Sequence, residues 1–384
     1  MEIRKVRPEE YQRTNEIYAL SFGYKVEQEQ PTAGEDARYA AFENGKMISV
    51  VYRPDYGFEF DGHTVKMAGI GGVSTLPGFR RKGAVRGIMN LLLTDSFKEG
   101  FAFSYLFPFS TSYYRQYGYE TACDVTKYDI NTNALPSGND TDKCFLLEEN
   151  REEGLKYIKA TYEYTKTRYN AMASPTEDTF KWAAEESALN ETVYTYIYPG
   201  KESYGFITYE LRRDDGLYVN IPRLMYKGDE ALFNLLGLVK SFGSDYPRTV
   251  VRMPGSDRLE RVVKEWSFGN LRRESIFHGM VRVINVKEVL LLAKYRGQGE
   301  IKIRVEDAIL NENNRTYRVK YGDGKALSVE ETLEKEDLFM PINEFSARIL
   351  GYSNSIGEIN REFCDKIEPG DIFYQKPVYI VEEF

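Results

Sequence analysis

Two dipeptides, Asn44-Gly45 and Asp61-Gly62, constrain the fold of this 384-residue chain more than any other feature. Each separates two strand-like segments: "RYAAFE" from "KMISVVYR", and "YGFEF" from "HTVKMAGIGGVST". Asn-Gly and Asp-Gly supply the positive φ values of a two-residue hairpin turn, whose twist matches that of paired strands. The pattern predicts an antiparallel meander over residues 38–76. Before it, "IRKV" (3–6) reads as a strand, and "RPEEYQRTNEIYALSFG" as a helix with Pro8 near its start, Glu9 and Glu10 in its first turn and Gly23 as its stop. After it comes a helix over 83–98, with Val85, Ile88, Met89, Leu92 and Phe97 on one face and Gly100 ending it. "FAFSYLFPF" (101–109) has the length and apolarity of a strand buried on both faces. "TSYYRQYGYE" then reads as one or two helical turns. The order is that of an α/β (α+β) domain.

The segment joining meander to helix, "STLPGFRRKGAVR", carries Arg80, Arg81 and Lys82 at a helix start. A helix start already bears partial positive charge, so three cations there are locally unfavourable. An anionic ligand resolves the conflict. Backbone N–H groups at a helix start form a concave anion site, Gly78 and Gly83 admit close backbone approach, and arginine can bind a diphosphate bidentately. The bland alternative is a solvated cationic surface turn. No P-loop pattern is present, and "GIGG" (69–72) is not a dinucleotide fingerprint because Ser74 stands where the third glycine belongs.

Composition narrows the function classes. Three cysteines, Cys123, Cys144 and Cys364, are few and far apart, which predicts reduced thiols and a cytoplasmic setting. With only two histidines, His63 and His278, no metal site is expected. A net charge of −8 points away from nucleic acid and leaves cationic small molecules open as partners. No run of eighteen apolar residues and no apolar leader appear, so neither a membrane span nor a secretory signal is expected.

In this arrangement the segment Arg80-Arg81-Lys82-Gly83-Ala84-Val85 resembles the acetyl-CoA pyrophosphate loop of the GCN5-related N-acetyltransferases, with Val85 where that pattern has Gly or Ala. Together "GVSTLPGFRRKGAVR", "STSYYRQYGYE" and the ending "KPVYIVEEF" resemble the enhanced intracellular survival (Eis) family of aminoglycoside and lysine N-acetyltransferases. The resemblance implies that Val73, Ser74 and Thr75 pair with the pantetheine arm like an added strand. It implies that Arg81, Lys82, Gly83, Ala84, Val85 and Arg86 hold the diphosphate, and that Phe109 and Ser110 line the other side of the cofactor. It places the general acid on Tyr114, in the segment Tyr114-Arg115-Gln116-Tyr117-Gly118-Tyr119, and the general base on the terminal carboxylate of Phe384. Phe22 and Glu383 are the implied substrate contacts. After Ser21-Phe22 the family often has an acidic pocket residue; this chain reads "GYKVEQEQ", with Glu27 and Glu29 as possible substitutes.

Three domains are expected. Residues 1–140 form the acetyltransferase domain with the acetyl-CoA site. In 141–284, helices ("NREEGLKYIKATYEYTKTRY", "TEDTFKWAAEES"), a hairpin, a strand, the helix "DEALFNLLGLVKSFG", the strand "RTVVRMP" and a helix over "SDRLERVVKEW" repeat the first domain's order. Asp229 and Glu230 begin the corresponding helix and would repel a diphosphate, so this copy reads as cofactor-free; a second active centre is the alternative. Residues 285–384 hold strand-rich stretches, then "PINEFSARILGY" and "GEINREFCDKIEP" as helices. The resemblance implies a sterol carrier protein-like domain there. The implied activity is direct acetyl transfer from acetyl-CoA to amines of small polycations such as aminoglycosides, in a homo-oligomer (a hexamer in the family). Protein lysines, a small metabolite amine, and a non-catalytic CoA or lipid binder are the alternatives.

Overall fold

The computed structural model describes residues 1–23, 37–174, 193–267, 269–352, 372–374 and 376–380. The expected helices over "TEDTFKWAAEES" and "GEINREFCDKIEP", and residues Glu27, Glu29, Glu383 and Phe384, lie outside them. The chain divides into two compact units, 1–122 with 278–376 and 380–384, and 123–277 with 377–379. The expected boundaries were 140 and 284. The units divide where they do because of strand pairing. Asp124–Asn131 pairs with Arg248–Pro254 in the second unit's sheet, while Met280–Val283 pairs with the first unit's strand Phe103–Leu106.

In the first unit, β1 (Glu2–Lys5) leads through a short turn to α1 (Tyr11–Phe22). Glu10 fastens that turn: its carboxylate accepts two bonds from Arg4, both 2.8 Å, and one from the Arg7 N–H at 2.9 Å. Gly23, at φ 75°, ends α1. The meander follows as β2 (Ala37–Glu43), β3 (Lys46–Arg53), β4 (Asp55–Phe60) and β5 (His63–Thr75). Both turns have the expected left-handed pair, Asn44 and Gly45 at φ 51° and 75°, Asp61 and Gly62 at φ 51° and 96°.

Then come α2 (Ala84–Lys98), β6 (Phe103–Leu106), α3 (Thr111–Arg115) and β7 (Glu120–Thr121). The sheet runs β1-β2-β3-β5-β6, followed by Met280–Val283 and β7. α2 buries Ile88, Met89, Leu92 and Leu93 completely, while Val85 and Phe97 pack at the margin of the same core. Each fully buried side chain of this size contributes roughly 1.5–3 kcal/mol, enough to hold the helix on the sheet. β6 is shorter than expected. Pro108 has no N–H to donate, and Phe107 and Phe109 are 44% and 70% exposed, so the strand ends at Leu106.

The second unit repeats this device. Tyr218–Lys227 pairs in parallel with Arg248–Pro254, and the helix Asp229–Lys240 joins them, as α2 joins β5 to β6. "SDRLERVVKEW" is not a helix there; it holds only a short turn at Leu259–Arg261. Its backbone donors go elsewhere: the Leu259 N–H to the Tyr128 hydroxyl at 3.2 Å, and the Lys264 N–H to the Ala134 carbonyl at 3.1 Å. Residues 377–379 belong to this unit, where Asn170 exchanges bonds with Pro377 (2.7 Å) and Tyr379 (2.9 Å).

Within the first unit, the C-terminal part has Val286–Leu292 as a helix and a four-stranded sheet of Gly299–Glu306, Thr316–Gly322, Lys325–Thr332 and Leu338–Pro341. Ile342–Ile349 is its closing helix. Asp323 and Gly324, at φ 53° and 78°, make a third turn of the kind seen at Asn44 and Asp61.

Candidate active site

The site is built where β5 and β6 part. Their parallel ladder runs from Met67↔Phe103 to Ile70↔Leu106 and stops, whereas β5 continues to Thr75. Beyond Ile70, β5 is paired with β3 alone, at Tyr52↔Gly71, Val50↔Ser74 and Ser49↔Thr75. Ser49 Oγ donates to the Ser74 carbonyl at 2.7 Å, so Ser74 turns its backbone toward β3. Alternation along a strand then points the backbone groups of Val73 and Thr75 to the open side. Thr75's carbonyl does receive Arg80 Nε, at 3.3 Å. Gly72 makes the bend possible. It sits at φ 58°, and a side chain there would collide with the ring of Tyr18.

That open edge runs into the start of α2. Arg81 has φ 62°, a left-handed value that costs a non-glycine residue roughly 1–2 kcal/mol. Gly83 has φ 83° and stands at the helix N-cap with no side-chain hydrogen bond to cap the helix. The first-turn N–H groups at Ala84, Val85 and Arg86 therefore face outward unsatisfied by any cap. Arg80, Arg81, Lys82 and Arg86 are all exposed around them. Lys82 lies over the Phe79 ring at 5.0 Å, and Arg86 reaches Gln116 Oε1 at 3.1 Å. Unpaired helix-start donors, ringed by cations and approached by glycine backbone, fit a diphosphate. The helix Asp229–Lys240 of the second unit contrasts with this. There Ser203 Oγ accepts the Ala231 N–H at 2.8 Å, Ser203 fills the space beside Gly228, and Tyr198 donates to Glu230 at 2.8 Å.

Beyond the end of β6, Ser110 caps α3, its hydroxyl accepting the Tyr113 N–H at 3.4 Å. α3 carries Tyr114 into the core, where it is 2% exposed. Phe109, Tyr113 and Tyr119 surround it with edge contacts, their centroids 5.3, 5.3 and 6.2 Å away. Burial, with smaller contributions from Tyr113, Tyr119 and Tyr117, pushes the Tyr114 phenol above its ordinary value, so it stays protonated. Tyr113 is only half-buried and its hydroxyl accepts from Tyr117 at 3.3 Å. Tyr119 is fully buried, its hydroxyl 2.6 Å from Ser104 Oγ, and burial pushes it up to about 12.

The structure thus brings Val73, Ser74, Thr75 and the Arg81–Arg86 turn together along one edge, and sets Phe109, Ser110 and Tyr114 just past the end of the neighbouring strand. Phe22 is the last residue of α1 and is 57% exposed. Sequence reading passed over Arg282, a fully buried arginine whose carboxylate partner is Asp307. Its signal was a lone cation inside the apolar run "GMVRVINV".

Residues 2–122 match the family model described as acetyltransferase (GNAT) domain, and residues 286–356 match the sterol carrier protein domain. No curated protein matches the chain. Several solved structures are similar over the whole length. Eis1 from Mycobacterium abscessus is 17% identical, with 100% of both chains covered and a TM-score of 0.82. A conserved protein of unknown function from Enterococcus faecalis, described as a probable N-acyltransferase, is 20% identical, with 100% of this chain and 99% of that one covered and a TM-score of 0.84. A GCN5-related N-acetyltransferase from Anabaena variabilis is 18% identical, with 100% of both covered and a TM-score of 0.79. The two domain matches, joined to this full-length likeness of fold, give the chain an Eis-like architecture: a GNAT acetyltransferase domain at residues 2–122 and a sterol carrier protein domain at residues 286–356.

Proposed function

We propose that the chain is an acetyl-CoA-dependent N-acetyltransferase acting on amines of small polycationic molecules, aminoglycosides among them. The observation that carries this reading is the continuity of the site: an open strand edge at Val73–Thr75 leads into uncapped helix donors ringed by Arg81, Lys82 and Arg86. Bound there, acetyl-CoA would supply an activated thioester. Val73 and Thr75 would extend the sheet onto its pantetheine arm, and the α2 turn would take its diphosphate. Phe109 and Ser110 would close the far side. The matching helix of the second unit has Ser203 in that place and two carboxylates at its start, which supports a cofactor-free copy.

In the reaction, an ammonium substrate must first lose a proton. The terminal carboxylate of Phe384 takes that role in our reading. Support comes from the anchoring of the chain just before it: Pro377 and Tyr379 are bonded to Asn170, and Ile380 is 2% exposed. An ordinary terminal carboxyl has a pKa of about 3.3–3.7, so burial and positioning have to make it an adequate base. Glu383 and Phe22 would contact the substrate. Tyr114 holds its proton at neutral pH and donates it to the departing thiolate, so no acyl-enzyme is needed. The described residues include no helix long and apolar enough to cross a membrane and no group of residues that could hold a metal ion. A cytoplasmic homo-oligomer, hexameric in the related family, completes the proposal.

The test combines calorimetric titration of acetyl-CoA with thiol release across a panel of aminoglycosides, polyamines, lysine peptides and small metabolite amines. Release driven by polycationic small amines is expected. Tight binding without release from any amine would replace this reading with a CoA binder; release with lysine peptides alone would move the acceptor to proteins.

A further inference from the structure

Arg282 and Asp307 are the most deeply buried ion pair among the described residues, at 1% and 0% side-chain exposure. Arg282 Nη2 donates to both Asp307 oxygens, at 2.8 and 2.6 Å. The carboxylate is saturated on its other side by Asn313 Nδ2 at 2.9 Å and by the N–H groups of Ile309 and Leu310 at 2.9 and 3.1 Å. Burying two charges is expensive, and an apolar pair of similar volume commonly folds as well or better. Stability alone is therefore a poor reason for the pair to be here. Its other contact supplies one. Arg282 Nη1 donates to the carbonyl of Tyr117.

Tyr117 belongs to the turn that ends α3. Its N–H and that of Tyr119 both return to the Tyr114 carbonyl, at 2.9 and 3.4 Å. Gly118, at φ 81°, turns the chain there, and a side chain at this position would overlap the Arg282 guanidinium and Ile342. Tyr119 then packs edge-on against the Tyr114 ring. A single guanidinium thus pins the carbonyl of the turn that holds Tyr114, and Asp307 pins the guanidinium. Asp307 lies in the segment that matches the sterol carrier protein domain, and Tyr114 lies in the acetyltransferase match.

We propose that Arg282, gripped by Asp307, is a positioning residue for Tyr114: the C-terminal domain sets the orientation of the acetyltransferase domain's acid through this bridge. The proposal rests on the reading of Tyr114 as general acid. It gives the C-terminal domain a part in the chemistry that requires no ligand of its own.

The test is a double-mutant cycle on turnover. The charge-free variant Arg282→Met/Asp307→Leu removes the bridge without leaving a buried charge. It leaves the donors of Asn313, Ile309 and Leu310 without their carboxylate, so its melting temperature should fall, while acetyl-CoA affinity stays near wild type and kcat falls at least tenfold. Combined with Tyr114→Phe, it should lower kcat no further than Tyr114→Phe alone, because it acts only through that phenol. Arg282→Lys, which keeps the charge but cannot span Tyr117 and Asp307 in the same planar way, should fall between, and serves if the double variant folds poorly. An additive loss in the Tyr114→Phe background, or unchanged kcat in a folded bridge variant, overturns the positioning role while leaving Tyr114 as the acid. Full activity of Tyr114→Phe by itself overturns the acid assignment, and the positioning role with it.

Discussion

Arg81 allows the backbone and the charge of the anion turn to be separated. Its φ of 62° is left-handed, its side chain is exposed, and it makes no hydrogen bond or ion pair among the described residues. Replacing it therefore removes no internal contact. Arg81→Gly relieves a backbone cost of roughly 1–2 kcal/mol and returns roughly 0.5–1 kcal/mol of that as added unfolded-state entropy. The net lies between no change and a gain of about 1.5 kcal/mol, which for domains of this size is a rise of up to about 6 °C in melting temperature. Arg81→Ala keeps the left-handed cost and should melt near wild type. Toward acetyl-CoA the two variants should behave alike, since each loses one charge-assisted bond to phosphate, worth about 1.5–3 kcal/mol or roughly 10- to 150-fold in Kd. Calorimetric titration at low and high salt, beside thermal melts, reads both effects. The loss should shrink at high salt, where the wild-type charge is screened. Wild-type affinity in both variants would refute the diphosphate assignment, and a lower melting temperature for Arg81→Gly would refute the strain argument.

A three-residue extension after Phe384 converts the terminal carboxylate to an amide; it should leave the melting temperature unchanged and lower kcat about 100-fold, whereas Glu383→Gln should mainly raise KM for polycations. If the extended protein turns over normally, the base lies elsewhere. Acid should destabilise the protein partly through Asp307. Burial alone would raise its carboxyl, but the Arg282 charge and bonds from Asn313, Arg282 and Ile309 outweigh this and hold it below its ordinary value. Its contribution is then full above about pH 4, the unfolded pKa, and is lost as pH falls toward the folded one. Urea midpoints at pH 6 and pH 3 should differ less in Arg282→Met/Asp307→Leu than in wild type. Glu10 adds to the same acid window: bonds from Arg4, against opposing burial and helped by Arg7, hold it at about 2. Arg4→Met should lessen the loss of stability between pH 4 and pH 2, measured the same way.

Local signals carried much of the fold. Asn44-Gly45 and Asp61-Gly62 specify their turns through backbone sterics alone, and Gly23 and Gly83 mark a helix end and a helix start in the same way. Asp323-Gly324 carries the same signal for the third hairpin. The cations before α2 single out that turn because they contradict the helix dipole. Features without a local signal are decided by distant partners. Leu259, Val262 and Val263 have helical spacing, yet the donors of Leu259 and Lys264 are claimed by Tyr128 and Ala134. The division at 122 and 277 follows from strand pairings that no local pattern encodes. "FAFSYLFPF" is apolar to its end, but Pro108 stops the strand and leaves Phe107 and Phe109 exposed beside the open edge of β5. Arg282 and Asp307 are 25 residues apart in sequence, so neither reveals the other until the fold places them together.

If Tyr114 is the proton donor of an acetyl transfer, its loss must slow thiol departure without weakening cofactor binding. The most direct measurement is single-turnover thiol release from acetyl-CoA, with a polycationic amine in excess, for wild type, Tyr114→Phe and Tyr113→Phe at matched cofactor saturation. Tyr114→Phe should bind acetyl-CoA as wild type does and release thiol about 100-fold more slowly or worse, while Tyr113→Phe stays within a few-fold of wild type. Equal rates for the two variants, or a wild-type rate for Tyr114→Phe, would contradict the account.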